Sequence, residues 1–147
     1  MKKVVIGGTF DILHKGHKAF LKRAFSLGRV TIGLTSDKMA KGIRRRKVRK
    51  FNLRKKELEK FIKENFRKKV RIIKIEDKFG PTLRENFDYI VVSPATYKTA
   101  VLINKLRGKR NKKPIKIVKI KFVLGKDGKP ISATKIKSKN NFIKKII

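Results

Sequence analysis

Hydrophobic positions change period repeatedly along the chain. Short apolar, β-branched runs alternate with longer stretches in which apolar residues recur every three or four positions, the signatures of strands and amphipathic helices. Lys2–Ile6 reads as the first strand. A helix follows over Gly16–Leu27, with Phe20, Leu21, Ala24, Phe25 and Leu27 facing inward, and Gly28 ends it as a residue just past a helix does. Val30–Thr35 is the second strand. Residues 41–50, KGIRRRKVRK, have no clear period and read as a basic connection. Asn52 is suited to cap a helix over Leu53–Asn65 with Leu58, Phe61 and Ile62 inward. Val70–Ile75 is the third strand; the turn Phe79-Gly80-Pro81-Thr82 and a short helix before Asp88 come next. Tyr89–Val92 is apolar enough for a central strand, and Pro94 stops it. A helix over Thr96–Leu106 turns Ala100, Val101, Ile103 and Leu106 to the sheet. Pro114 opens a fifth strand, Ile115–Lys121, whose alternation with lysine predicts an edge. Ser132 opens a last short helix.

Strands alternating with helices predict an α/β fold with a parallel sheet. A length of 147 residues suits one domain, taken as residues 1–138, with a loosely packed tail over 139–147 that mixes basic residues with Phe142, Ile143, Ile146 and Ile147. There is no cysteine, and neither a signal-peptide core nor a membrane-spanning apolar run is present, so a cytoplasmic location is expected.

The chemistry concentrates between the first strand and the first helix, at residues 7–17, GGTFDILHKGH. A glycine-rich turn leading into a helix N-terminus offers close backbone approach, exposed N–H groups and a partial positive charge, the requirements of a phosphate site. Gly7 and Gly8 permit the approach, Thr9 adds a short hydroxyl, and the chain's two histidines, His14 and His17, fall on one side of a helical turn. Asp11 reads as a stabiliser of the turn. A metal site built from His14, His17 and Asp11 is the competing assignment, but the helical zinc motif places its histidines one residue further apart. Neither GxGxxG nor GxxxxGK[ST] occurs, so dinucleotide-binding and P-loop readings lack support.

Charge changes the picture of partners. There are 44 Lys and Arg against 10 Asp and Glu, a formal net charge of +34. Such a surface attracts polyanions, and a nucleic-acid-binding module is the alternative from another class. The interleaved aromatics of single-strand binders and the motifs of duplex readers are missing, so only weak, salt-sensitive and sequence-independent binding is expected, with no specific nucleic-acid partner.

His14-Lys15-Gly16-His17 and the later Pro130–Ile136, PISATKI, resemble the HxGH and ISST-type motifs of a nucleotidyltransferase superfamily. GLTSDKMA (33–40), EDKFGPT (76–82), VVSPATY (91–97) and DGKPISATKI (127–136) further resemble the archaeal type of phosphopantetheine adenylyltransferase, over about residues 2–137. The resemblance implies a Rossmann-like five-stranded parallel sheet of order 3-2-1-4-5, with ligands at its switch point. It implies transfer of the adenylyl group of ATP to 4′-phosphopantetheine, with Mg²⁺ accompanying ATP and no metal held by the protein. In these terms the catalytic residues are His14, His17, Thr9 and Lys41, with Lys38 the competing cation and Arg44–Arg46 less suited. The nucleotide is bound by Gly7, Gly8, Thr9, Phe10, His17, Ser132, Thr134 and Lys135, and the 91–97 segment lies near the adenine or ribose. Tyr97, Asn104 and Arg107 read as surface or packing residues, although Arg107 has the reach for ATP. The chain departs from the family pattern at Ala95, where a glutamate is usual, and at Ala133, where ISST has its second serine. Within the superfamily, FAD synthetases and glycerol-phosphate cytidylyltransferases share GTFDxLHxGH but usually end in a motif closer to RTEGIST, so DGKPISATKI favours the adenylyltransferase.

Overall fold

A computed structural model of the chain describes residues 1–43 and 47–121. Arg44–Arg46, the segment holding Ser132, Thr134 and Lys135, and the tail 139–147 lie outside the described residues. The elements run β1 (Lys3–Gly8), α1 (Lys15–Leu27), β2 (Arg29–Thr35), α2 (Asp37–Ile43), α3 (Phe51–Phe66), β3 (Arg71–Ile75), β4 (Tyr89–Val92), α4 (Tyr97–Lys109) and β5 (Lys116–Lys119). The strands form one parallel sheet of order β3-β2-β1-β4-β5. β1 pairs with β2 from Lys3–Arg29 to Gly8–Leu34 and with β4 at Val4–Tyr89 and Val5–Ile90. The chain leaves β1 in one direction through β2 and β3 and returns to its other side through β4 and β5, so the switch point lies beside β1, as expected.

Strand side chains alternate between faces, and each face of the sheet has its own core. Val4, Ile6, Ile32 and Leu34 pack with Phe20, Leu21 and Ala24 of α1 and Leu58 and Ile62 of α3. Val5, Ile90 and Val92 pack with Ala100 and Ile103 of α4, Phe87 and Ile115. No helix among the described residues is long and apolar enough to cross a membrane.

Several expectations are corrected. The basic connection begins as a helix: α2 covers Asp37–Ile43 and includes Lys41, with the Ser36 hydroxyl accepting from the Met39 N–H at 3.1 Å. Asn52 does not cap α3. Lys50 occupies the cap position, and the Phe51 N–H donates to Asp37 Oδ1 at 2.7 Å, so the capping acceptor comes from α2. The short helix expected before Asp88 is a series of turns. Its Thr82 and Glu85 carbonyls accept from the buried Arg107 guanidinium rather than from amides further along the chain. Val101 is exposed; the inward face of α4 is Ala100, Ile103 and Arg107. Gly28 ends α1 with extended backbone (φ 159°) rather than a left-handed turn. A Cβ there would sit 2.2 Å from the Lys2 carbonyl oxygen, so close approach to β1 excludes any larger residue.

Candidate active site

The turn after β1 carries Thr9, Phe10 and Asp11, all buried. Phe10 has φ 45°, a left-handed conformation that costs a bulky residue of order 1–3 kcal/mol and persists only where the surroundings enforce it. The ties on both sides are visible. The Thr9 carbonyl accepts from Arg54 Nη1 at 3.0 Å. Asp11 Oδ1 accepts from the Arg49 backbone N–H at 3.2 Å and from Arg49 Nε at 3.0 Å. Arg49 also donates to Glu57 at 2.8 Å. Burial lowers the pKa of the Arg49 guanidinium, but the hydrogen bonds to Asp11 and Glu57 outweigh that and raise it above its ordinary value. Asp11 is therefore a turn residue, engaged by Arg49.

His14 is the N-cap of α1, and its Nδ1 accepts from the Gly16 N–H at 3.0 Å. In a neutral imidazole this assigns the proton to Nε2, which is then a donor. It also occupies one of the two nitrogens a metal would use. The His17 ring lies 4.1 Å from that of His14 and 5.1 Å from that of Phe10, between centroids, and His17 is 2% exposed. The Phe10 side chain is likewise enclosed. His14 at the cap and His17 in the first turn both stand at the N-terminus of α1, where the helix field favours anions. Among the described residues no group of three His, Cys, Asp or Glu is arranged to hold a metal ion.

On the other side of the turn, a cavity of about 470 Å³ runs from Gly7, Gly8 and Thr9 along the sheet. Met39, Ile75, Phe79, Thr99 and Ile103 are among its walls, and Lys78 is the one charged residue among the described residues that line it. A Cβ at Gly7 would meet only the Gly33 carbonyl, at an ordinary 3.6 Å, so protein packing does not demand glycine there. Gly7 lines the cavity, and the space it leaves adds to that room.

Of the anticipated site residues, the structure gathers Gly7, Gly8, Thr9, His14 and His17 around one strand-to-helix junction. Lys41 stands exposed near the end of α2, and from the same helix Met39 reaches the cavity wall. Ala95 also lines the cavity. Tyr97 is an exposed surface residue. Arg107 is 1% exposed and donates to the Thr82, Glu85 and Lys113 carbonyls and to Asn86 Oδ1, at 2.7–3.0 Å; burial lowers its pKa. Asn104 exchanges hydrogen bonds with the Ile115 backbone N–H and carbonyl. Both are packing residues. The cavity and the buried Arg54 escaped the sequence. Arg54 did leave a signal: it precedes Leu58 and Ile62 at four-residue intervals, a cation on the apolar stripe of α3.

A parallel sheet with a phosphate-type turn and two histidines at a helix N-terminus beside its switch point is the framework of a nucleotidyltransferase, and the chain belongs to the cytidylyltransferase-like family, whose model matches residues 5–139. Its relatives are more particular. The chain is 42% identical over 141 residues to a phosphopantetheine adenylyltransferase of Methanosarcina mazei, covering 92% of this chain and 90% of that protein. It is 46% identical over 143 residues to the phosphopantetheine adenylyltransferase of Thermococcus gammatolerans, covering 93% and 88%. The crystal structure of an Archaeoglobus fulgidus protein of unknown function superposes with a TM-score of 0.77 at 41% identity, over 80% of this chain and 88% of that one. A lipopolysaccharide core biosynthesis protein from Thermoplasma volcanium superposes at 0.65 with 25% identity, over 82% and 96%.

Proposed function

We propose that this chain is an enzyme of coenzyme A biosynthesis that transfers the adenylyl group of ATP to 4′-phosphopantetheine, giving dephospho-coenzyme A and pyrophosphate. The observation that carries this choice of acceptor is the apolar cavity that begins at the Gly7–Thr9 turn. Its volume lies within the range of small-molecule sites, about 300–1,000 Å³. Glycerol phosphate is too small and polar to fill it. A pantetheine arm is acyclic and largely apolar between its amides, and it carries its phosphate at one end, where the turn lies.

The acceptor phosphate oxygen attacks the α-phosphorus of ATP. A new P–O bond forms, the bond to the β-bridging oxygen breaks, and pyrophosphate leaves with that electron pair. The acceptor's second pKa is about 6, so it arrives largely as a dianion and needs no general base. The protein's work is to hold two polyanions in line and to offset charge developing on the transferred phosphorus. His14 and His17 donate to α- and β-phosphate oxygens. The Thr9 hydroxyl contacts the α-phosphate or the incoming phosphate, and the Gly7, Gly8 and Phe10 backbone lies against the nucleotide. Lys41 bridges the two substrates. Ser132, Thr134 and Lys135 take the β- and γ-phosphates. Mg²⁺ would accompany ATP, held by its phosphates and water, and would offset charge on the phosphate oxygens. We place the reaction in the cytoplasm, where ATP is available.

Pyrophosphate release from purified protein tests the assignment. ATP with 4′-phosphopantetheine is expected to turn over, and flavin mononucleotide with ATP, or glycerol phosphate with CTP, is not. Turnover with either of those pairs alone overturns it.

A further inference from the structure

Thr9 does not act unaided. Thr9 and Thr35 each follow the last β1–β2 pair, Gly8–Leu34, and Thr35, the last residue of β2, is also paired with Ile75 of β3, so the two threonines sit side by side at the ends of adjacent strands. The Thr35 hydroxyl donates to Thr9 Oγ1 at 3.0 Å, and both residues are buried. Behind Thr35 stands Arg54, 0% exposed, whose Nη1 lies 3.4 Å from Thr35 Oγ1. The same guanidinium holds the Thr9 carbonyl at 3.0 Å, the Arg49 carbonyl at 2.7 Å and Asp37 Oδ1 at 3.2 Å.

We propose that Thr35 is a positioning residue for the reaction, fixing the Thr9 hydroxyl so that its hydrogen is offered to a phosphate oxygen. The proposal rests on the assignment of Thr9 to the phosphates. A guanidinium only donates, so the Arg54 fork takes a lone pair of Thr35 Oγ1 and turns the Thr35 hydrogen away from itself. The acceptor on the Thr9 side is Oγ1. Thr9 thus receives the one hydrogen of Thr35 and keeps its own for the ligand. Asp37 balances the buried charge of Arg54, and Arg49 ties Arg54 to the same turn through Asp11. The hydroxyl is set before substrate arrives, and no reorganisation is required during the reaction.

The test is a double-mutant cycle with an activity-independent arm. Thr35→Val keeps the shape and removes the hydroxyl; it is expected to lower kcat about 5- to 10-fold, the worth of one hydrogen bond, with the KM for ATP little changed. Thr35→Ser is expected to recover most of the loss. In a Thr9→Val background, Thr35→Val is expected to change kcat less than about twofold, because the group it positions is gone. The second arm reads Thr9 χ1 in ligand-free protein from three-bond methyl couplings. Wild type is expected to hold one rotamer and Thr35→Val to average over more than one. An unchanged Thr9 rotamer in Thr35→Val, or an undiminished kcat loss in the Thr9→Val background, overturns the proposal. A wild type that makes no dephospho-coenzyme A but shows the rotamer effect overturns the substrate assignment and leaves the positioning standing.

Discussion

His14 caps α1 with one nitrogen and, in the proposed reaction, serves a phosphate with the other, and substitution can separate the two. Nδ1 caps α1 by accepting from the Gly16 N–H at 3.0 Å, with His14 itself extended at φ −151° and ψ −175°. Nε2 carries the proton that the proposed chemistry offers to a phosphate. His14→Ala removes both. The lost cap costs about 1 kcal/mol, which lowers the melting temperature of a domain of this size by about 2–4 °C. The lost donor costs about 3–4 kcal/mol of transition-state stabilisation, or roughly 10²- to 10³-fold in kcat. His14→Asn places Oδ1 where Nδ1 was and leaves nothing at Nε2, so it should melt like wild type and be as slow as the alanine variant. His14→Gln supplies an N–H near the Nε2 position without the cap acceptor; it should melt like the alanine variant and retain more turnover than His14→Asn. Pyrophosphate release and thermal unfolding of the four proteins give both readings. Wild-type turnover in His14→Asn, or a wild-type melting temperature in His14→Ala, would refute the division of labour.

Three further outcomes follow from other parts of the molecule. Thr99→Trp fills the cavity from α4 and should raise the KM for 4′-phosphopantetheine at least about fivefold while leaving that for ATP unmoved; equal increases in initial-rate measurements would mean the cavity is not the acceptor's. Gly28→Ala drives a Cβ to 2.2 Å from the Lys2 carbonyl oxygen, so thermal denaturation should show a loss of roughly 1–3 kcal/mol, and an unchanged melting temperature would contradict the clash. Both carboxylate oxygens of Glu85 accept from Arg71 at 2.8 Å, and these hydrogen bonds lower its pKa below the ordinary 4.5 against the opposing effect of burial. The stabilisation is therefore complete above the unfolded value and disappears as pH falls through the lower folded one. Both partners are solvent-exposed to a third or more, so the pair is worth less than about 1 kcal/mol. Glu85→Gln should be slightly less stable than wild type in neutral denaturant titrations and equal to it in strong acid; a difference that persists in acid would remove the ion pair as its cause.

What the sequence by itself determined were features set by neighbours along the chain. Period alone located the β1–α1–β2 unit, α3 and β4, because strand and helix each repeat over a few residues. The Gly7–His17 segment was legible for the same reason: spacing put both imidazoles on one side of a helix N-terminus. Boundaries blurred where a partner distant in sequence did the work. Asp37 caps α3 at Phe51, which left Asn52 with the right chemistry and the wrong position. Arg107 takes the Thr82 and Glu85 carbonyls, so a segment with helical composition stays in turns. Only the tertiary structure decided the cavity, since Gly7, Met39, Phe79 and Thr99 come from four separate segments. It alone decided which of the 44 basic residues go inside. A guanidinium leaves water only where carbonyls and carboxylates already stand at its fork, and those around Arg54 arrive from the turn after β1, from α2 and from the chain before α3.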